Sequence, residues 1–146
     1  MVAPASRTDE LVVPAFVVDN SVVVAWAYPR QATTYTEALL ERSGGSALYT
    51  AFIWPAEFAN ATHMLVNRGL LSEELGAEML VLAESFGLLV ERAPAPGRIY
   101  KLSRQHRLSA YDAAYLELAT RMSIPLATRD TALKAAAESM GLYLAP

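Results

Sequence analysis

Ala15-Phe16-Val17-Val18-Asp19-Asn20-Ser21 sets four apolar residues in an unbroken run, then an acid, then two residues that favour a helix start. An apolar run without alternation is expected of a strand covered on both faces, whereas a half-wet strand would alternate with polar residues. The acid closing the run falls where a strand gives way to a helix. Open α/β sheets gather their functional groups at such junctions, because loops and helix N-termini converge beyond the carboxyl ends of the strands.

Working outward, helical patterns are expected over 21–28 and 33–42. Gly44-Gly45 then breaks the chain before a second strand at 47–50. Pro55 suits the first turn of the next helix, where its missing N–H is not needed. Gly69 fits the end of that helix and Ser72 the cap of another, so 55–85 reads as a helical hairpin. Further strands are expected at 88–91, 124–127 and 142–144, and further helices at 98–106, from Ser109 to Met122, and at 131–140. Strands alternating with helices imply right-handed crossovers and a parallel sheet. The expected fold class is α/β, a three-layer α/β/α sandwich around a central parallel sheet. Residues 15–146 form the expected domain, and Met1 to Pro14 an N-terminal extension.

Composition narrows the chemistry. A chain of 146 residues fits one domain with a substantial core, and without cysteine it has neither disulfides nor thiolate metal sites. Any metal must use oxygen ligands or the two histidines. No leader pattern and no membrane-length apolar stretch is evident, so a soluble, cytoplasmic protein is expected. The net charge of −3 decides nothing about nucleic acid. An apolar content of 53% suggests either surplus surface for a partner chain or an alanine-rich, well-packed core.

Three of the four aspartates, Asp19, Asp112 and Asp130, lie where an expected strand ends or an expected helix begins, and Glu57 lies in the first turn of its expected helix. Each has an ordinary structural reading. Asp19 and Asp130 would serve as N-caps, Glu57 would favour the helix dipole, and Ser109-Ala110-Tyr111-Asp112 matches a capping box. Asn60 and Met64 share the face of Glu57, while Tyr111, Tyr115, Leu118 and Met122 would form the packing stripe of the helix after Ser109. Together the acids suggest more. At about 4 Å and an effective dielectric near 20, each like-charged pair costs on the order of 4 kcal/mol. A divalent cation removes that repulsion, and a hard oxygen set favours Mg²⁺ or Mn²⁺, which suit phosphodiester hydrolysis.

The segments 16–21, Pro55-Ala56-Glu57-Phe58-Ala59-Asn60, Leu108-Ser109-Ala110-Tyr111-Asp112-Ala113-Ala114-Tyr115 and Leu126-Ala127-Thr128-Arg129-Asp130 together resemble the PIN-domain ribonucleases of the VapC toxin type. The resemblance runs from about residue 15 to the end, in four motifs that are short singly and specific in order. It implies a metal-dependent endoribonuclease whose acidic pocket is Asp19, Glu57, Asp112 and Asp130, supported by Ser21, Asn60 and Thr128. It also implies a cognate antitoxin, commonly a homodimer, and an RNA substrate. The extension at 1–14 departs from the pattern, since such toxins usually begin almost at the first strand.

Arg92, Arg98, Lys101, Arg104 and Arg107, with His106, form a segment free of acids that reads as a phosphate-backbone contact or as a solvated helix face. Arg129 is a further candidate RNA contact or an ion-pair partner. Trp26, Tyr28 and Trp54 are candidates for stacking on bases or for packing. His63 and His106 lack a ligand pattern and are expected in surface or capping roles. A phosphatase or dehalogenase reading is disfavoured by Ser21, which stands where a second acid would be needed, and a receiver-like one because the acidic pair near the first strand and the late lysine it would need are not evident. A catalytically inactive PIN-like module that binds RNA or protein is the alternative to the enzyme.

Overall fold

A computed structural model describes residues 13–146; residues 1–12, nearly all of the expected extension, lie outside the described residues. The order of elements is β1 (Ala15–Val18), α1 (Asn20–Ala27), a 3₁₀ turn (Pro29–Gln31), α2 (Thr34–Ser43), β2 (Ala47–Thr50), α3 (Trp54–Asn67), α4 (Glu73–Glu84), β3 (Leu89–Val90), α5 (Pro96–His106), α6 (Ala110–Met122), β4 (Leu126–Ala127) and α7 (Thr131–Ser139). The strands form one parallel sheet in the order β3-β2-β1-β4. This is the expected α/β sandwich. Right-handed crossovers carry α1 to α4 over one face on the way to β2 and β3, and α5 and α6 over the other on the return to β4.

That order places a topological switch point between β1 and β4, whose neighbouring carboxyl ends lead into Asp19 and into Thr128-Arg129-Asp130. It is where open α/β sheets leave a crevice for ligands. The central strand justifies its unbroken apolar sequence, because Phe16, Val17 and Val18 are all buried.

Three strands are shorter than expected: β4 keeps only the last two residues of 124–127, and the other two contract for local reasons. β3 is an edge strand of two exposed residues, Leu89 and Val90, so packing on one face alone does not hold it further. At the C-terminus the expected strand over 142–144 contracts to a single bridge between Leu126 and Tyr143. Tyr35 Oη donates to the Leu144 carbonyl at 2.8 Å and Arg42 Nη1 to that of Ala145 at 3.1 Å, so side chains of α2 and its neighbourhood engage the last carbonyls.

Both central helices are buried nearly all round rather than along one stripe. Val22 to Tyr28 are buried because α2, α3 and α4 surround α1. Trp26, Tyr28 and Trp54, at 7%, 8% and 9% exposure, are therefore core residues and unavailable to stack on bases. Trp26 Nε1 donates to the Thr36 carbonyl at 2.8 Å, which satisfies its polar end inside. On the other face Ala113 to Ala119 of α6 are buried by contacts with α5, α7, β1 and β4. The expected stripe is corrected at Tyr111, which is 60% exposed because it precedes that enclosed stretch. In the α3–α4 hairpin, Gly76 lets the helices meet closely: a Cβ there would stand 2.9 Å from Val66 Cγ2.

Candidate active site

The cleft at the switch point measures about 340 Å³ and is lined by all four acids together with Asn20, Ser21, Gln31, Tyr115 and Arg129. Four separate segments contribute, so the fold alone brings the acids together. Asp19 follows β1 directly and caps α1. Its Oδ1 accepts from Ser21 Oγ at 2.6 Å and from the Val22 N–H at 3.2 Å, and its Oδ2 accepts from Thr128 Oγ1 at 2.5 Å. Ser21 and Thr128 thus occupy the supporting places. Burial nevertheless pushes the Asp19 carboxyl up to about 6, against the lowering effect of these hydrogen bonds, and the nearby Asp112 charge adds to the rise.

Glu57, in the first turn of α3, reaches the cleft over the top of the sheet, where Tyr115 Oη of α6 donates to its Oε1 at 2.6 Å. The contact joins helices of the two layers. Burial raises the Glu57 carboxyl above its usual range, the tyrosine lowers it in part, and Asp112 raises it further. Asp112 lies in the first turn of α6, where its backbone N–H donates to Ser109 Oγ at 3.1 Å, one half of the expected capping box. Its own carboxyl is raised by burial and then by the charge of Asp130. Asp130 caps α7, accepting from the Leu133 N–H at 2.8 Å. Asp19 and Asp130 thus serve as helix caps and also line the cleft, Asp19 with both oxygens engaged and Asp130 with one.

The donor chemistry of the cleft fits a hard divalent cation. Four carboxylate side chains line the cleft together with Asn20, whose buried Oδ1 has no hydrogen-bond partner. As placed, however, no group of three or more acidic or histidine side chains among the described residues is close enough to enclose an ion. Magnesium tolerates such an arrangement, since it keeps several waters and needs only one or two direct carboxylates.

Other expected residues fall elsewhere. Asn60 is exposed in an adjoining hollow with Ile53, Ala56, Glu57 and Tyr111, so the structure does not bring it into the acid cleft. Arg98 turns toward the buried Glu117, with Nε 3.5 Å from its Oε2, and with Lys101 lines a larger groove of about 500 Å³ beside α5 and α6. The acid cleft is smaller than that groove, yet the groove's one carboxylate is already held by Arg121 and Arg98. Arg104 and Arg107 are exposed near the end of α5, just ahead of α6. His63 is exposed beside Asn67 and His106 ends α5; neither lines the cleft.

Sequence reasoning missed Tyr115 as the partner of Glu57, Asn20 as an open acceptor, and Gln31 altogether. Tyr115 stands three residues after Asp112, a helical spacing that puts both on neighbouring parts of one face. Gln31 gave no such signal, because its place in the cleft depends on the turn that follows α1.

A PIN-domain family model matches residues 16–139. Ribonuclease VapC1 of Mycobacterium tuberculosis is 32% identical over 108 residues, which cover 66% of this chain and 81% of that protein. Among solved structures, PAE2754 from Pyrobaculum aerophilum superposes with a TM-score of 0.65 at 21% identity, covering 84% of each chain. VapC20 of Mycobacterium tuberculosis, described as a Sarcin-Ricin loop cleaving toxin, does so with a TM-score of 0.62 at 17% identity over 83% of this chain and 94% of that one. At those identities the structural likeness concerns the fold.

Proposed function

Because this chain belongs to the PIN-domain family and is related to a VapC ribonuclease, we propose that it is a metal-dependent endoribonuclease, the toxin of a toxin–antitoxin pair, with Asp19, Glu57, Asp112 and Asp130 as its centre. The observation that carries this reading is the convergence of four acids, from four separate segments, on one cleft at the switch point. Nothing about helix capping requires them to share a cavity. Three of the four are held above the normal carboxylate range, an unfavourable arrangement in isolation and a useful one around a cation.

Mg²⁺, or Mn²⁺, held by these carboxylates would supply an activated water and charge stabilisation at the phosphorus. The chain's own residues do the positioning. Ser21, Thr128 and the Val22 N–H hold the Asp19 carboxylate in one orientation, and Tyr115 holds Glu57 by one oxygen while its Oε2 has no partner among the described residues. Arg129 at the cleft, and Lys101, Arg104 and Arg107 on and after α5, are the candidate contacts to the RNA backbone, with Arg98 divided between RNA and Glu117.

A cognate antitoxin and a second copy of the chain are the proposed protein partners, supported by the apolar surface left on α4 and β3. The test is expression in cells. The wild type should arrest growth and generate new RNA ends, and Asp19→Asn should do neither while remaining folded. Harmless expression of the wild type at high level, with no new RNA ends, would remove the toxin reading.

A further inference from the structure

The loop after β4 gives three consecutive side chains different tasks. Thr128 donates to Asp19, Asp130 caps α7 beside the cleft, and Arg129 between them is the one cation lining the cleft among the described residues. The guanidinium is held at three points: Nε donates to the Ser21 carbonyl at 2.9 Å, Nη1 to the Gln31 carbonyl at 3.3 Å, and Nη2 to Gln31 Oε1 at 3.0 Å. The Arg129 backbone N–H is fixed as well, donating at 3.0 Å to the same Ser21 Oγ that donates to Asp19.

Every one of these acceptors is neutral. No carboxylate among the described residues pairs with Arg129, although four acids share its cleft. A guanidinium so placed would ordinarily take a carboxylate in a charge-assisted pair. Gln31 prevents that by supplying two of the three acceptors from a single residue at the end of the 3₁₀ turn. A guanidinium has five N–H donors, so one remains open on each terminal nitrogen.

We propose that Gln31 is a positioning residue that braces Arg129 at the cleft as an uncompensated cation, so that its open donors receive a phosphate oxygen of the RNA chain beside the acids. The proposal rests on the nuclease reading for its ligand. The amide is the essential chemistry: it fixes the arginine without neutralising it. A glutamate in its place would hold the guanidinium more firmly and cancel the charge the phosphate needs.

The test measures binding of a short fluorescent RNA oligonucleotide over a range of salt, with thermal melting of each variant and a separate cleavage assay. Gln31→Glu should melt at or above the wild-type temperature yet bind RNA about tenfold more weakly, with the slope of log affinity against log salt reduced by roughly 0.7, the loss of one phosphate contact on a single strand. Arg129→Ala should show the same loss of affinity and slope. Arg129→Lys, which keeps the charge without the fork, should keep most of the slope and lose affinity. Should Gln31→Glu fail to fold, the two arginine variants decide by the same slopes. Wild-type affinity and slope in Gln31→Glu and Arg129→Ala would overturn the proposal and leave the nuclease reading standing if the wild type cleaves. Weakened variants of a wild type that binds without cleaving would support the proposal and remove the nuclease reading. A wild type that neither binds nor cleaves RNA would end both.

Discussion

Asp112 is the charge felt across the cleft: it raises the carboxyls of Asp19 and Glu57 and is itself raised by Asp130. Replacing it with asparagine removes a proposed ligand and a shared source of repulsion at the same time. Asp112→Asn should therefore lower RNA cleavage by roughly 100-fold or more while leaving the melting temperature unchanged or higher, a combination that simple misfolding cannot produce. Asp19 adds a pH dependence. Its folded carboxyl titrates at about 6 against an ordinary value of 3.8, so between those values the folded state holds a proton that the unfolded state has released. Stability without added metal should fall as pH rises through that window, with about 3 kcal/mol of the fall coming from Asp19. Denaturant unfolding in chelator at pH 4 and pH 7.5 should show this fall in the wild type and a clearly smaller one in Asp19→Asn, where the raised Glu57 and Asp112 carboxyls remain. Equal pH dependence in the two proteins would mean that Asp19 is not the group responsible.

At the scale of the element, α6 carries both the site and a cost. Its first turn holds Asp112, its middle presents Tyr115 to Glu57, and two residues on it buries Glu117 at 2% exposure. Arg121 answers that charge from the next turn with Nε 3.2 and 3.1 Å from the two carboxylate oxygens and Nη2 3.1 Å from one of them. Arg121→Ala should cost about 3–5 kcal/mol by leaving a buried charge short of its partner, measurable as a loss of denaturation free energy. At temperatures where the variant is folded its cleavage rate should match the wild type, because the pair lies roughly 7.5 Å along the helix from Asp112. The order of strands and helices, and the acids at their junctions, were legible in the sequence because apolar runs, capping residues and Pro55 are local signals. What the sequence left hidden depends on contacts between distant segments. Trp26 and Trp54 read as stackers or as packing until the helices around them bury both, and Arg98 read as an RNA contact or a solvated residue with no sign of its pairing to Glu117. Gln31 and Tyr115 acquire meaning only through the residues that the sheet brings to them.

At the scale of the whole molecule, the sheet gathers the chemistry at one end and leaves apolar surface on its flank. Leu75, Val81 and Leu82 of α4 and Leu89 and Val90 of β3 are exposed. No helix among the described residues is long and apolar enough to cross a membrane. A co-expressed antitoxin should co-purify with the Asp19→Asn form and slow hydrogen exchange in α1 to α4; unchanged exchange there would place the partner elsewhere. The proposed centre requires a cation held by the acids of the cleft for RNA hydrolysis. Its most direct test is cleavage of a mixed RNA pool by purified wild type, Asp19→Asn and Asp112→Asn, with Mg²⁺ or Mn²⁺ titrated against a chelator. Cleavage by the wild type should appear with metal, vanish with chelator, and be lost in both variants despite native melting; undiminished cleavage by either variant, or by the wild type in excess chelator, would mean that the acids are no such centre.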